Sequence, residues 1–299
     1  MLLGKVGRRL CAPIAWVAIG MSCQCAGAYA QEPPAHDENP GSIASADARD
    51  TLVRDLPLDG GGYQRVLFYG PKAGMRGIIV MFPGGADEIG IERDGAIRSG
   101  DNFVVRTREL WARRKYGVVI VDAIDHRSMR GQRSTAEYAA VTQTILGFAH
   151  SLSNVPVWVM GTSQGSIAAM NAASHAGPGE LAGVVLTESV SVVGKSRETV
   201  FDAQPQDVRA PALIVANRDD RCWVAPPSMA NEIAHAMRNA QPTVLFEQGG
   251  VARSSNDCGS RSPHGYWGID EKVVNDIDRW MQDVSPTTAH SAAQRPHAD

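Results

Sequence analysis

The sequence predicts an α/β domain: a mainly parallel sheet with helices packed on its faces. Three observations carry that expectation. Short runs of β-branched and other apolar residues alternate with helix-patterned segments through the middle of a 299-residue chain, as strand–helix–strand crossovers do. The runs are apolar at successive positions rather than at every second one, which suits strands buried on both faces. One run leads into Gly161-Thr162-Ser163-Gln164-Gly165 and then into a stretch of small residues, the pattern of a sharp strand-to-helix turn.

Taken in order, residues 51–56 and 63–69 flank Gly60-Gly61-Gly62 and read as an opening hairpin. Strands are then expected over 77–82, 117–121, 155–160, 182–186, 212–216 and 243–247. Helical spacing marks 102–115, 134–151, 165–175, 227–239 and 271–282. The folded block is expected to span 50–284 without a composition break or an internal repeat. Residues 31–49, rich in Pro, Asp, Glu, Ser and Ala, read as a flexible lead-in, and 285–299 as a disordered tail.

The first thirty residues have the composition of an export signal. Lys5, Arg8 and Arg9 precede an apolar stretch from Cys11 to Ala26, and Ala28-Tyr29-Ala30 is a small-x-small cleavage pattern. Gly20, Ser22, Gln24 and Gly27 interrupt the stretch, which argues against a permanent anchor, and no later segment has the length of a spanning helix. Arg8-Arg9 also raises the twin-arginine route. Cleavage near Ala30 would leave a periplasmic or secreted protein with no integral membrane segment. It would remove three basic and no acidic residues, taking the formal charge from −3 to −6. An acidic mature surface disfavours nucleic acid as a partner. Of five cysteines only Cys222 and Cys258 would remain, and two cysteines in an oxidising compartment most simply pair as a disulfide. No second Cys/His cluster of suitable spacing accompanies them, so no metal site is expected.

Ligands of a parallel sheet bind at the C-terminal ends of its strands, and the chemically useful residues fall there. Ser163 lies at the strand-to-helix turn, where it would act as a nucleophile. A serine hydroxyl needs a base to take its proton and a carboxylate to orient that base. Most of the histidines lie in terminal segments or helices. His264 follows the last strand through the long loop 249–263 and is the expected base, with His126 as the alternative. Asn217-Arg218-Asp219-Asp220 follows the strand 212–216, so Asp220 is the expected acid and Asp219 the alternative. Donors to an oxyanion are expected from the backbone N–H of Gln164 and from the loop Pro83-Gly84-Gly85-Ala86-Asp87, with Gly85 first and Ala86 next.

The order Ser163, Asp220, His264, the Gly-Thr-Ser-Gln-Gly turn and the Phe-Pro-Gly-Gly loop resemble the α/β-hydrolase superfamily over about residues 50–283. The resemblance implies an α/β-hydrolase fold, Ser163 as nucleophile, His264 as base and then acid, Asp220 as orienting acid, and no metal or organic cofactor. Many members carry His-Gly where this chain has Pro83-Gly84, a departure that leaves the backbone donors in place. A Cys222–Cys258 bridge would tie the acid loop to the base loop. Trp223 and Trp267 adjoin the same loops, as substrate contacts or as packing, and Glu92, Arg93 and Arg98 read as a solvated loop. The interval 188–209 is short and polar, which predicts a small cap or none. The expected activity is hydrolysis of small-molecule carboxylic esters by an exported serine hydrolase. Peptidase, amidase or thioesterase action would use the same groups. A non-catalytic binding protein with this fold is the reading from a different class.

Overall fold

The central strands are apolar at consecutive positions because both faces of their sheet are covered. The computed structural model describes residues 49–86 and 88–285. The expected leader, most of the lead-in, Asp87 of the oxyanion loop and the tail from 286 onward lie outside the described residues. The strands are β1 (Arg49–Pro57), β2 (Tyr63–Pro71), β3 (Gly77–Phe82), β4 (Tyr116–Val121), β5 (Val157–Thr162), β6 (Gly183–Thr187), β7 (Ala212–Asn217) and β8 (Pro242–Glu247). They form one eight-stranded sheet in the order β1-β2-β4-β3-β5-β6-β7-β8. The opening hairpin is antiparallel and β2 meets β4 antiparallel; every other pairing is parallel.

Alternate side chains of each strand enter opposite cores. Val80, Val119, Val159, Val184 and Ile214 face one layer, and their neighbours Ile79, Val118, Trp158, Val185 and Leu213 face the other. The first layer is closed by α3 (Ala136–Leu152) and α4 (Gly165–Ser174), through Ile145, Leu146, Ile167 and Ala168. The second is closed by α1 (Phe103–Arg106), α2 (Arg108–Arg113) and α6 (Asp270–Val284), through Phe103, Trp111, Val273, Val274 and Ile277. Each fully buried aliphatic side chain of this kind contributes roughly 1.5–3 kcal/mol. Helix α4 is the most deeply placed. Its Ala168, Ala169, Ala172 and Ala173 let it lie close on β5 and β6, and nine of its ten residues are buried.

Most boundaries move by one or two residues, and three departures from the sequence reading have a local reason. Strand β1 begins at Arg49, inside the expected lead-in, because its backbone pairs with Pro71 at the far end of the hairpin. The helix expected over 102–115 is two short helices joined at Thr107, whose hydroxyl donates to the Phe103 carbonyl at 2.7 Å. The helix expected over 227–239 starts as a 3₁₀ turn at Pro227–Met229 and is α-helical only in α5 (Ala230–Ala236). Among the described residues no helix is long and apolar enough to cross a membrane.

Candidate active site

Register decides where the site falls. Phe82 pairs with Gly161, Thr162 with Thr187, and Asn217 with Glu247. The loops after β3, β5, β6, β7 and β8 therefore emerge along one edge of the sheet.

Ser163 sits at the exit of β5 with φ +52°, in the left-handed region that non-glycine residues enter at a cost of about 1–3 kcal/mol. Close packing holds it there. A Cβ on Gly161 would lie 2.2 Å from the Gly165 carbonyl oxygen, and one on Gly165 would lie 2.0 Å from that of Phe82. Both glycines are required for α4 to fold back against β5 and β3. The Ser163 amide donates to the Thr187 carbonyl at 2.9 Å. The amides of Gln164 and Gly165 follow at the start of α4, where a helix leaves its N–H groups without intrahelical partners.

His264 lies in a 3₁₀ turn, Pro263–Gly265, capped by Ser262, whose hydroxyl accepts from the His264 amide at 3.2 Å. The Ser163 hydroxyl and His264 Nε2 are 2.9 Å apart, and His264 Nδ1 donates to Asp220 Oδ2 at 2.7 Å. Asp220 Oδ1 accepts from the Cys222 amide at 2.7 Å. Both His264 and Asp220 are buried, so the imidazole and the carboxylate bonded to it are shielded from competing water. Asp219 turns away and accepts from the Gly249 amide at 2.8 Å. His126 contacts the Tyr63 hydroxyl at 3.4 Å and has no contact with Ser163.

Several side chains outside the Ser163–His264–Asp220 line hold this geometry; the sequence reading gave a role to the cysteine pair but not to Asn217, Arg106, Tyr266 or Asp122. Asn217, fully buried, donates through Nδ2 to the carbonyls of Gly249 and Pro263 at 2.9 and 3.0 Å, joining the acid loop to both ends of the base loop. Arg106 reaches from α1 to the Gly265 carbonyl and to Asp270, the latter at 2.6 Å, with its guanidinium 5.0 Å from the Trp267 ring centre. Tyr266 donates to the Val215 carbonyl at 3.1 Å. The Cys222–Cys258 disulfide links the two loops covalently, with 4.6 Å between Cα atoms. On the other side of the site, Asp122 accepts from the amides of Ile89 and Ile91 at 3.0 and 2.7 Å and fixes the loop after β3. Within that loop Arg98 pairs with Glu92 at 3.2 Å.

Glu188, directly after β6, was also missed. It is fully buried at φ +44°, and its Oε1 accepts from the Asn217 amide at 2.8 Å. Ligating atoms of Glu188, Asp220 and His264 lie within 4.8 Å of one another. Burial, and then the adjacent Asp220, pushes the Glu188 carboxyl well above the usual carboxylate range. Keeping the Glu188 proton avoids the repulsion of two adjacent carboxylates. Its position at a strand's C-terminal end was the available signal. These three residues are also the one group among the described residues spaced to hold a metal ion. His264 Nδ1, Asp220 Oδ1 and Glu188 Oε1 are each already hydrogen-bonded within the protein.

A cleft of about 290 Å³ opens over Ser163 and Gln164. Gly85, the expected second oxyanion donor, lines it at φ +76°. The Gly85 carbonyl is held by Arg133 Nη2 at 2.9 Å, and that of Ala86 accepts from the Met129 amide at 3.3 Å. Trp223 also lines the cleft and is 63% exposed. Trp267 does not line it and packs instead against the guanidiniums of Arg106 and Arg261. The 188–209 interval forms no cap domain, only two 3₁₀ turns, Val200–Ala203 and Pro205–Asp207.

Neither a family model nor a curated protein matches the chain by sequence. Solved structures do match it. A cold-adapted esterase from an Arctic intertidal metagenomic library superposes with a TM-score of 0.55 at 14% identity, covering 79% of this chain and 95% of its own. One of two Rhizomucor miehei esterases gives 0.56 at 14%, covering 82% and 86%. A puromycin-hydrolysing peptidase of Mycobacterium tuberculosis gives 0.57 at 12%, where 81% of this chain matches 40% of the peptidase. With the sheet order and strand pairings described above, these likenesses define the class: the chain has the α/β-hydrolase fold.

Proposed function

We propose that the chain is an exported serine hydrolase that cleaves carboxylic esters. The observation that carries the reading is the continuous Ser163–His264–Asp220 hydrogen-bonded line, with its serine on a strained turn at the mouth of an open cleft.

In this reading His264 Nε2 takes the Ser163 proton as Oγ attacks the ester carbonyl, and Asp220 stabilises the imidazolium that results. The amides of Gln164 and Gly85 donate to the oxyanion. His264 then gives the proton to the departing alcohol, leaving an acyl group on Ser163. Water, deprotonated by His264, attacks that acyl group and the serine recovers its proton. Ester and one water become carboxylic acid and alcohol, and the enzyme is unchanged. Export is supported by the leader-like N-terminus and by a disulfide, which persists in oxidising compartments.

The test is intact mass after treatment with a fluorophosphonate, beside Ser163→Ala. One adduct, lost in the variant, is expected, followed by turnover of aryl esters ahead of matched amides and thioesters. A folded protein that takes no adduct would refute the hydrolase reading in favour of a binding protein. Faster amide or thioester turnover would keep the triad and change the substrate.

A further inference from the structure

The cleft over Ser163 inverts the charge of the molecule around it. The chain carries a formal charge of −3, yet the charged residues lining the cleft are Arg130 and Lys195. Lining charges between low-dielectric walls focus their field and concentrate ligands of opposite sign. Among the described residues neither cation has a structural counter-ion. Among the described residues no carboxylate lies within 4.0 Å of either, whereas Arg65, Arg106 and Arg261 pair with Asp55, Asp270 and Asp101 at 2.6, 2.6 and 2.7 Å. Arg130 Nε approaches Gln164 Oε1 at 3.4 Å, beside the nucleophile, and its two terminal nitrogens have no acceptor among the described residues.

The walls that carry these cations are fastened together. Glu198, buried and three residues beyond Lys195, accepts from the amides of Gly131, Arg133 and Ser134 at 2.9, 3.2 and 2.9 Å, and from the Ser134 hydroxyl at 2.8 Å. One carboxylate thus pins the Arg130 loop to the Lys195 loop and uses its own acceptor capacity on neutral donors. Apolar surface completes the lining: Val190, Val224 and the exposed Trp223. The Trp223 ring lies over Gly194, where a Cβ would come within 3.1 Å of it.

We infer that the cleft selects esters bearing a second, anionic group, a carboxylate held by Arg130 and Lys195, with the apolar part against Val190, Val224 and Trp223. The inference rests on the ester-hydrolase reading and names its substrate class. A guanidinium with two unused terminal nitrogens is matched to a carboxylate in shape as well as charge.

Two matched substrate pairs test it. The 4-nitrophenyl hemiester of glutaric acid is compared with the 4-nitrophenyl ester of monomethyl glutarate, and an aryl acetate carrying a ring carboxylate with its methyl ester. At low salt, kcat/KM is expected to favour the anionic member of at least one pair by about tenfold or more. The preference shrinks as NaCl screens it, and falls to near parity in Arg130→Gln/Lys195→Gln, whose melting temperature should match the wild type. Parity in both pairs, or a preference that survives the double substitution, would overturn the proposal. Calorimetric binding of the two glutarate esters to Ser163→Ala reads the same preference without turnover. A hydrolase failure with tighter hemiester binding would spare the anion site, and equal Kd values would overturn it.

Discussion

Removing the disulfide should weaken the fold and the reaction together. Cys222 and Cys258 are 36 residues apart in sequence, and closing a loop of that length removes unfolded-chain entropy worth about 4 kcal/mol at 25 °C. For a domain of this size each kcal/mol moves the melting temperature by about 2–4 °C, so the loss corresponds to about 8–16 °C. Alanine is the right replacement at both positions, since Cys222 is buried and a serine there would bury an unpartnered hydroxyl. The catalytic part of the prediction follows from the Cys222 amide, which holds Asp220 Oδ1 at 2.7 Å. Slack in the acid loop loosens the partner of His264 and slows acylation of Ser163. Thermal melts and the rate of fluorophosphonate labelling, each on Cys222→Ala/Cys258→Ala and on reduced wild type, separate loss of the bond from the effect of substitution. A melting temperature within about 2 °C of wild type, or unchanged labelling, would refute the coupling of staple to site.

Other perturbations separate the roles within the site. Asp220→Asn should lower kcat by up to about 10⁴-fold, because the amide no longer selects the imidazole tautomer that accepts the serine proton; Asp219→Asn should cost far less, and equal losses would reopen the choice of acid. Glu188→Gln should alter how stability depends on pH. The folded pKa of Glu188 lies above its ordinary value of 4.5, so its contribution is complete below that value and is lost as pH rises through the folded pKa. The glutamine variant should lack that decline, and identical slopes in a melt series over pH would refute the assignment. Arg106→Ala should cost about 1.5–3 kcal/mol by leaving the base loop's carbonyl and Asp270 without their charged donor. It should also slow labelling of Ser163, with only partial recovery in Arg106→Lys. Wild-type labelling in the alanine variant would remove Arg106 from the positioning set.

The legible parts of this molecule are those governed by local chemistry. Consecutive apolar positions announced the doubly covered strands, and Gly161 and Gly165 marked the turn whose steric need for glycine the packing against Phe82 explains. Chain order and loop position sufficed to nominate Ser163, His264 and Asp220; in the fold His264 lies 2.9 Å from Ser163 and 2.7 Å from Asp220. The supporting residues were not legible, because their value depends on contacts between distant segments. Nothing in the sequence marks the contacts Asn217 and Glu188 make; their importance comes from burial beside loops that converge only when β6, β7 and β8 align. Arg106 was hidden differently: its partner Asp270 is 164 residues away. The broken 102–115 helix was misread because a threonine hydroxyl competing for a backbone carbonyl leaves the apolar spacing intact.

Trp223 has a consequence for observing the molecule. Trp111 and Trp158 are sealed in the core, whereas Trp223 meets solvent at the lip of the cleft that contains Ser163. A ligand that displaces water from that lip changes the surroundings of this indole while leaving the two core indoles as they were. The emission spectrum of the unlabelled protein thus carries an occupancy signal, and under the proposed acyl-enzyme reaction the arrival and departure of acyl groups at the serine can be timed optically with substrates that have no chromophore of their own.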